Sequence, residues 1–148
     1  MEYLRDLLDP RRILILQGGG KTDALIRLIE LSRSDEAVRD FEAFRREVLR
    51  RESIVTTGIG MGVAIPHVKT SSLRSFFISV GVFRSGIDWD SLDGKPVHLA
   101  FLIAGPDDHQ QYLQILARLA RIIRDEGWRR AILAAGEAGE ILELLAGQ

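Results

Sequence analysis

Short apolar runs along the chain predict β-strands at residues 13–16, 76–83 and 97–103. Each run is rich in branched or aromatic side chains. The run at 97–103 is almost continuously apolar, which is typical of a central strand covered on both faces. We expect the strand at 13–16 to be buried as well. A fourth run at residues 63–65 predicts a short strand near the middle of the chain.

Apolar residues at helical spacing predict the remaining elements. Two of the helices open with acidic residues, which suit the positive end of a helix. These signals are Ser34-Asp35-Glu36 before one helix, and Asp107 or Asp108 as the cap of another. The predicted helices comprise one or two turns around Leu4, Leu7 and Leu8, and the segments 23–32, 34–51, 107–123, 128–135 and 137–145.

The order of these elements predicts an α/β fold in which helices flank a mixed β-sheet. Arg84-Ser85-Gly86 is expected to turn the chain, residues 87–92 to form a short edge segment, and Asp93-Gly94 to form a tight turn. The pattern alone leaves the strand order open. With 148 residues, the whole chain (residues 1–148) is expected to form one domain with its own core.

Composition excludes several classes of protein. A hydrophobic fraction of 46% and a charged fraction of 28% are globular values, which argues against disorder. The net charge of −1 gives no reason to expect nucleic acid or an anionic membrane as a partner. The sequence has no cysteine, so disulfides, thiolate metal sites and cysteine nucleophiles are excluded. No apolar run approaches the ~20 residues that span a bilayer, and we expect a cytoplasmic protein.

A glycine cluster, Gly18-Gly19-Gly20-Lys21-Thr22, partly matches the motif of a nucleotide-binding phosphate loop. That motif requires a glycine, four further residues and then Gly-Lys-Thr, and Ile15 occupies the position of the first glycine. We therefore interpret the cluster as a turn between a strand and a helix, with Thr22 as a candidate cap.

The strongest candidate for chemistry lies between Arg51 and His67. Its glycines, at residues 58, 60 and 62, recur every second position and are followed by Val63-Ala64-Ile65-Pro66. If this loop is extended, its glycines share one side, while Ile59, Met61, Val63 and Ile65 enter the core. Pro66 restricts its own backbone and that of the residue before it, so His67 is presented from a defined position. An imidazole there can serve as base, nucleophile or metal ligand.

The sequence favours other chemistries less. A zinc site is not favoured, because no two histidines have i, i+4 spacing and no acidic residue has a recognisable ligand spacing. A serine hydrolase is not favoured, because the chain has no nucleophile elbow. His98 is interpreted as a structural histidine at a strand start, and Trp89 as a packing residue whose indole N–H needs a partner. Arg45, Arg46 and Arg50 are interpreted as solvated residues near a helix end.

The stretch Thr57-Gly-Ile-Gly-Met-Gly-Val-Ala-Ile-Pro-His67 resembles the active-site signature of the fructose/mannitol-type enzyme IIA of the bacterial phosphotransferase system. The nitrogen-regulatory branch of that family carries the same signature. Arg51-Glu52, residues 93–104 and residues 106–120 match the family's Arg-Glu pair, its central strand and the helix with its second histidine. One departure is Met61, where the family often has Asn. The resemblance implies three layers, with helices on both faces of the sheet.

The resemblance also implies a phosphoryl relay. His67 would accept a phosphoryl group from the phosphocarrier protein of the system and pass it to a sugar-specific B component, which carries a reactive cysteine in this family. Arg51, Thr57 and His109 are the candidate donors that stabilise the transferring group, and Gly58 and Gly60 would contribute backbone N–H groups. No cofactor or metal is implied, because the phosphoryl group comes from nitrogen and no nucleotide needs chelation.

Two alternatives remain open at this stage. In the first, the chain is a nitrogen-type regulatory protein, and the phosphorylation state of His67 selects its protein partners. In the second, the glycine loop is only a packing element and no stable phosphorylation occurs. The sequence does not name a sugar, an oligomeric state or a downstream partner.

Overall fold

The computed structural model describes residues 4–147, and these form a mixed six-stranded sheet with helices on both faces. The strands are β1 (Ile13–Leu16), β2 (Gly58–Gly60), β3 (Val63–Ala64), β4 (His67–Lys69), β5 (Phe77–Ile87) and β6 (Val97–Gly105). The helices are α1 (Leu4–Leu7), α2 (Lys21–Glu30), α3 (Phe41–Ile54), α4 (His109–Ile123), α5 (Glu126–Ala134) and α6 (Ala138–Ala146), with a 3₁₀ turn at Pro10–Arg12. Residues 1–3, which precede the predicted N-terminal helical turns, lie outside the described part.

Strand β6 is central, as its apolar run predicts. The sheet order is β1-β5-β6-β3-β2, and β4 also pairs with β6. Strands β3 and β4 both run parallel to β6, one after the other, so that Val63 lies opposite Leu99 and His67 opposite Ile103. The segment Ile65-Pro66 interrupts them. The chain that leaves the glycine loop therefore follows β6 towards its C-terminal end.

Two apolar clusters, one on each face of the sheet, make the three layers. Helices α1, α4, α5 and α6 cover one face, and α2 and α3 cover the other. The three-layer α/β architecture is thereby confirmed. The apolar stripes of α2 and α4 are buried as their spacing predicts, apart from the partly exposed Leu116. Within residues 4–147, every helix is too short or too polar to cross a membrane.

The predicted helix start at residues 34–36 is wrong. Helix α3 begins at Phe41, where the Asp40 carboxylate accepts a hydrogen bond of 3.1 Å from the backbone N–H of Ala43. Asp35 is instead committed to the buried Arg12 guanidinium, 2.5 Å away. Asp35 thus neutralises a buried cation. Thr22 is not a cap either, because Gly20 holds the N-cap position of α2 without a side-chain bond.

The predicted turn at residues 84–86 is a bulge within a longer strand. Strand β5 continues to Ile87, and its register against β6 shifts between Val82 and Ile87, where Gly86 takes φ +84°. Residues 88–92 leave the sheet, so no edge strand forms there. The turn at Asp93-Gly94 is confirmed, since the Gly94 N–H donates to Ser91 O. Strand β1 forms, but only Ile13 is buried because the strand lies at the sheet edge.

The glycine loop is a tight hairpin rather than an extended strand. Gly60 pairs with Val63, and the two residues between them, Met61 and Gly62, have φ of +60° and +75°. Positive φ at both central residues is typical of a type I′ turn. The turn exposes Ile59 by 43% and Met61 by 49%. The expectation that these two side chains enter the core is therefore wrong, whereas Val63 and Ile65 are buried as expected.

Candidate functional site

The end of strand β6 brings two of the three histidines to one edge of the sheet. His67 opens β4 beside Ile103, and Lys69 follows two residues later on the same face of the strand. Strand β6 ends at Gly105, and α4 begins at His109 after a short connection. The Asp108 carboxylate caps α4 by accepting a 3.1 Å hydrogen bond from the Gln111 N–H. His67 and His109 therefore share this edge although 41 positions separate them in the sequence (109 − 67 − 1).

The imidazole of His67 is held in one tautomer. Its Nδ1 lies 3.0 Å from the carbonyl oxygen of Ile65. Because a carbonyl only accepts, Nδ1 carries the proton and Nε2 keeps a free lone pair. The Arg51 guanidinium approaches Nε2 at 3.4 Å, a long contact that engages the lone pair only weakly. The ring is half-buried, so Nε2 is a fixed nucleophile beside a positive charge.

Tyr112 forms the wall between the two histidines. Its ring centroid lies 5.4 Å from that of His67 and 6.2 Å from that of His109. The phenol is buried, and this burial raises the pKa of Tyr112, so its hydroxyl stays protonated at neutral pH. The ring packs both imidazoles in place and contributes no charge of its own.

Lys69 orients the second imidazole. Its Nζ lies 2.7 Å from His109 Nδ1 and 5.0 Å from the Tyr112 ring centroid. An ammonium group only donates, so Nδ1 of His109 accepts and Nε2 carries the proton. His109 therefore offers an N–H donor, while His67 offers a lone pair. The two rings are complementary in their hydrogen-bonding state.

A depression of about 340 Å³ adjoins the histidines. Its walls carry three cations and two carboxylates, which leaves one net positive charge. The lining residues are Glu47, Arg50, Arg51, Val68, Lys69 and Asp107. Such a surface suits a small, negatively charged group that another molecule presents.

Thr57 lies near the site, but its polar groups are already used. Its hydroxyl donates to Glu52 Oε1, its backbone N–H donates to Glu52 Oε2 at 2.9 Å, and its oxygen accepts from the Trp89 indole at 3.3 Å. The partner that Trp89 needs is thus found. The N–H of Gly58 donates to Thr56 Oγ1 at 3.1 Å. Gly58 is required for packing, because a Cβ there would lie 2.2 Å from Ser91 Oγ.

Gly60 is not brought to His67. It pairs with Val63, which lies beside Leu99, four positions along β6 from the residue opposite His67. At about 3.3 Å per residue this is a separation of about 13 Å. The binding of a phosphoryl group by Thr57, Gly58 and Gly60 stays a prediction without support from this geometry.

Two residues of the site were missed in the sequence. Lys69 falls in a polar segment, although its alternation with His67 along a strand signals a shared face. Tyr112 falls in the buried stripe of α4, although it follows His109 by one helical turn. His98 lies apart, with its Nδ1 3.1 Å from the Phe83 carbonyl, in keeping with a structural role. In the part of the chain that is described, no three His, Asp or Glu side chains converge as metal ligands would.

Comparison with known proteins points to one family. A family model described as "Phosphoenolpyruvate-dependent sugar phosphotransferase system, EIIA 2" matches residues 6–148. The nitrogen regulatory protein of Bradyrhizobium diazoefficiens is 36% identical over 149 residues, which cover 97% of this chain and 94% of that protein. The crystal structure of the nitrogen regulatory protein IIA-Ntr from Neisseria meningitidis superposes with a TM-score of 0.87 at 25% identity, over 96% of this chain and 98% of the other.

A second relative is much longer than this chain. The fructose-specific EIIABC component of Bacillus subtilis is 38% identical over 109 residues, which are 73% of this chain. The match spans only 17% of the length of that relative. Relatives of this kind therefore contain far more than the matched region.

Proposed function

The chain belongs to the EIIA 2 family of the phosphoenolpyruvate-dependent sugar phosphotransferase system, and on that premise we propose that His67 is its phosphoryl carrier. His67 accepts a phosphoryl group from the phosphocarrier protein of the system and passes it to a sugar-specific B component. The observation that carries this proposal is the free lone pair on Nε2, fixed by the Ile65 carbonyl and faced by Arg51.

The transfer follows from that tautomer. The Nε2 lone pair attacks the phosphorus of the donor's phosphohistidine, the new N–P bond forms, and the electron pair of the broken bond returns to the donor imidazole. The ring of His67 becomes cationic while it carries the phosphoryl group with Nδ1 still protonated. The Ile65 carbonyl, 3.0 Å from Nδ1, stabilises this state. Transfer to a cysteine of the B component reverses these changes at His67.

We assign three side chains to the stabilisation of the transferring group. During transfer the negative charge spreads over three phosphoryl oxygens, and fixed donors and cations lower its energy. Arg51 stands beside Nε2. Lys69 and the Nε2–H of His109 approach from the far side of Tyr112. In this role the depression beside the histidines receives the edge of the partner protein.

The experiment supplies phosphoenolpyruvate, the two general phosphotransferase proteins and the purified chain, and measures acid-labile phosphate. We expect about one phosphoryl group per chain, and none in His67→Ala. His98→Ala is the matched control, because His98 is also fixed by a carbonyl but lies outside the site, and it should be labelled like the unaltered chain. Stoichiometric labelling of His67→Ala would refute the proposal.

A regulatory output is the second candidate, and one comparison favours it. Nitrogen regulatory proteins are similar to this chain in sequence, at 36% identity over 97% of this chain, and in structure, with a TM-score of 0.87. In this case the phosphoryl group on His67 changes the charge of the depression and thereby selects protein partners. Transfer of labelled phosphate from the chain to a purified B component supports the transport role. Capture of a partner by only one phosphorylation state, with no such transfer, supports the regulatory role.

A further inference from the structure

A buried ion pair lies beneath the glycine loop, and neither of its residues has a role in the proposed transfer. The Lys21 Nζ lies 3.0 Å from Glu52 Oε2, and the Glu52 carboxylate is buried. Lys21 also donates to the Trp89 carbonyl oxygen at 3.2 Å. Lys21 is the lysine of the glycine cluster that only superficially resembles a phosphate loop. A buried charge pair costs desolvation, so its presence calls for a reason.

A continuous series of hydrogen bonds joins this ion pair to His67. Glu52 Oε2 accepts from the Thr57 N–H at 2.9 Å. The Thr57 carbonyl accepts from the Ile65 N–H at 3.0 Å. The Ile65 carbonyl in turn accepts from His67 Nδ1 at 3.0 Å. Every link is a backbone group except the two ends, so the series is short and stiff.

The sheet fixes the other side of the same segment. The Pro66 carbonyl accepts from the Ile103 N–H at 2.9 Å, and the Pro66 ring restricts rotation at Ile65. With one anchor on β6 and one on Thr57, the Ile65 carbonyl has a single direction. The Thr57 anchor depends on Glu52, because Thr57 belongs to a loop outside the named strands. A carboxylate is suited to this task, since charge-assisted hydrogen bonds are shorter and stronger than neutral ones.

Glu52 also links the loop to the helix that carries Arg51. The two residues are neighbours in the last turn of α3, with Arg51 facing His67 and Glu52 facing the loop. One buried carboxylate therefore holds both the acceptor of Nδ1 and the helix end that presents the guanidinium.

We propose that Glu52, with Lys21 as its counterion, is a positioning residue that sets the tautomer of His67. By orienting Ile65 through Thr57, it keeps the proton on Nδ1 and the lone pair on Nε2. Its consequence for transfer rests on the proposed function of His67. The tautomer itself does not, and it can be measured in the unphosphorylated protein.

The test compares two double variants that leave no buried charge without a partner. Lys21→Met/Glu52→Gln keeps an amide oxygen that can accept from Thr57, whereas Lys21→Met/Glu52→Met removes that acceptor. Nitrogen-15 NMR of labelled imidazoles reports which ring nitrogen of His67 carries the proton, and rapid-quench labelling gives the transfer rate. In the Gln variant we expect the Nδ1–H tautomer to persist, with a rate within about 3-fold of the unaltered chain. In the Met variant we expect a mixture of tautomers and a rate at least about 10-fold lower, as for loss of one charge-assisted hydrogen bond.

A matched control comes from an exposed ion pair. Arg33→Met/Glu30→Gln removes an exposed pair at the C-terminal end of α2 and should change neither measurement. A single His67 tautomer in the folded Met variant, equal to that of the unaltered chain, would overturn the proposal. If the Met variant does not fold, Lys21→Met/Glu52→Ala, which also removes the acceptor but leaves a smaller side chain, decides by the same two measurements. A rate that falls with the Nδ1–H fraction supports the positioning role, and a rate that falls without any change of tautomer overturns it.

The two proposals fail in different ways. If the unaltered chain accepts no phosphoryl group while the Met variant loses its single tautomer, the carrier function is wrong and the positioning role stands. If the unaltered chain is phosphorylated and its tautomer is insensitive to Glu52, the carrier function stands and the positioning role is wrong.

Discussion

His67 and His98 make an instructive pair, because the fold fixes both rings in the same way. In each, Nδ1 faces a backbone carbonyl, at 3.0 Å from Ile65 O and 3.1 Å from Phe83 O. Both therefore carry the proton on Nδ1 and the lone pair on Nε2. A carbonyl-fixed tautomer is thus a common structural device and does not by itself make a reactive histidine.

The surroundings of Nε2 separate the two rings. Beside His67 stand the Arg51 guanidinium and the Tyr112 ring, at the edge of the sheet where a helix begins. The ring of His98 packs against glycine backbone, and a Cβ at Gly86 would lie only 3.2 Å from its Nε2. One lone pair faces a guanidinium that lines the depression, and the other lies close to the backbone at Gly86. If His67 is the carrier, as proposed, reactivity is set by what surrounds the free nitrogen once the tautomer is fixed.

The largest expected difference between the two histidines comes from parallel replacement by glutamine. His67→Gln should abolish phosphorylation, a loss greater than about 1,000-fold, because no ring nitrogen remains to form the N–P bond. His98→Gln should keep the phosphorylation rate and lower only the thermal midpoint. Quantitative labelling of both variants under identical conditions checks the pair. Equal labelling of the two would remove the distinction between the rings.

Removing the cation beside His67 should make its surroundings more like those of His98. Arg51→Met keeps the length of the side chain but not its charge, and we expect the transfer rate to fall about 100-fold, the usual scale for one lost transition-state donor. The fold should persist, because Arg51 is exposed. Arg46→Met on the same helix is the control and should transfer at the unaltered rate. A rate for Arg51→Met within 3-fold of that control would contradict the assigned role.

A smaller effect is expected from the charged residue that contacts His109 and the Tyr112 ring. Lys69→Met removes a cation and releases His109 from its tautomer, so its Nε2–H is no longer fixed. We expect a loss of about 10-fold, less than for Arg51, because Lys69 contacts His109 rather than His67. The same assay on Lys69→Met/His109→Ala should show little further loss if the two residues act together. Fully multiplicative losses would show that they act independently.

The smallest effect concerns the hairpin that packs against His98. Met61 holds φ +60° at a type I′ turn, a conformation that asparagine tolerates far better. Met61→Asn should add about 1 kcal/mol to the free energy of unfolding, or about 2–4 °C to the thermal midpoint, and leave phosphorylation unchanged. Met61→Gln controls for polarity and should give no gain. Equal gains in both variants would mean that the backbone conformation is not the cause.

Much of the fold follows from local pattern, and the failures have a common physical origin. The apolar run at 97–103 predicts the central strand, and a start signal predicts the helix at Asp108. The equally acidic start at residues 34–36 fails because a distant cation, Arg12, recruits Asp35. The turn at 84–86 fails because Gly86 serves a bulge and not a chain reversal. Local signals are ambiguous wherever a tertiary partner decides between two uses.

The site shows the same division. The presentation of His67 can be predicted from sequence, because the preceding Pro66 restricts the local backbone. The hydrogen bonds of Thr57 cannot be predicted from sequence, because its hydroxyl and N–H could equally contact a ligand. In the structure both groups donate to Glu52. The position of Lys69 could be predicted from sequence, because alternation along a strand places it on the same face as His67. The role of Lys21 needed the fold, since 30 residues separate it from Glu52 (52 − 21 − 1).

The most direct test of the central claim is the site of phosphorylation within the ring. Phosphorylated, ¹⁵N-labelled protein gives a phosphorus–nitrogen coupling that identifies the bonded nitrogen. We expect a single phosphohistidine, at Nε2 of His67, with Nδ1 still protonated against the Ile65 carbonyl. A phosphoryl group on Nδ1 of His67, or on the ring of His98 or His109, would contradict the claim that a carbonyl-fixed lone pair beside Arg51 is the carrier.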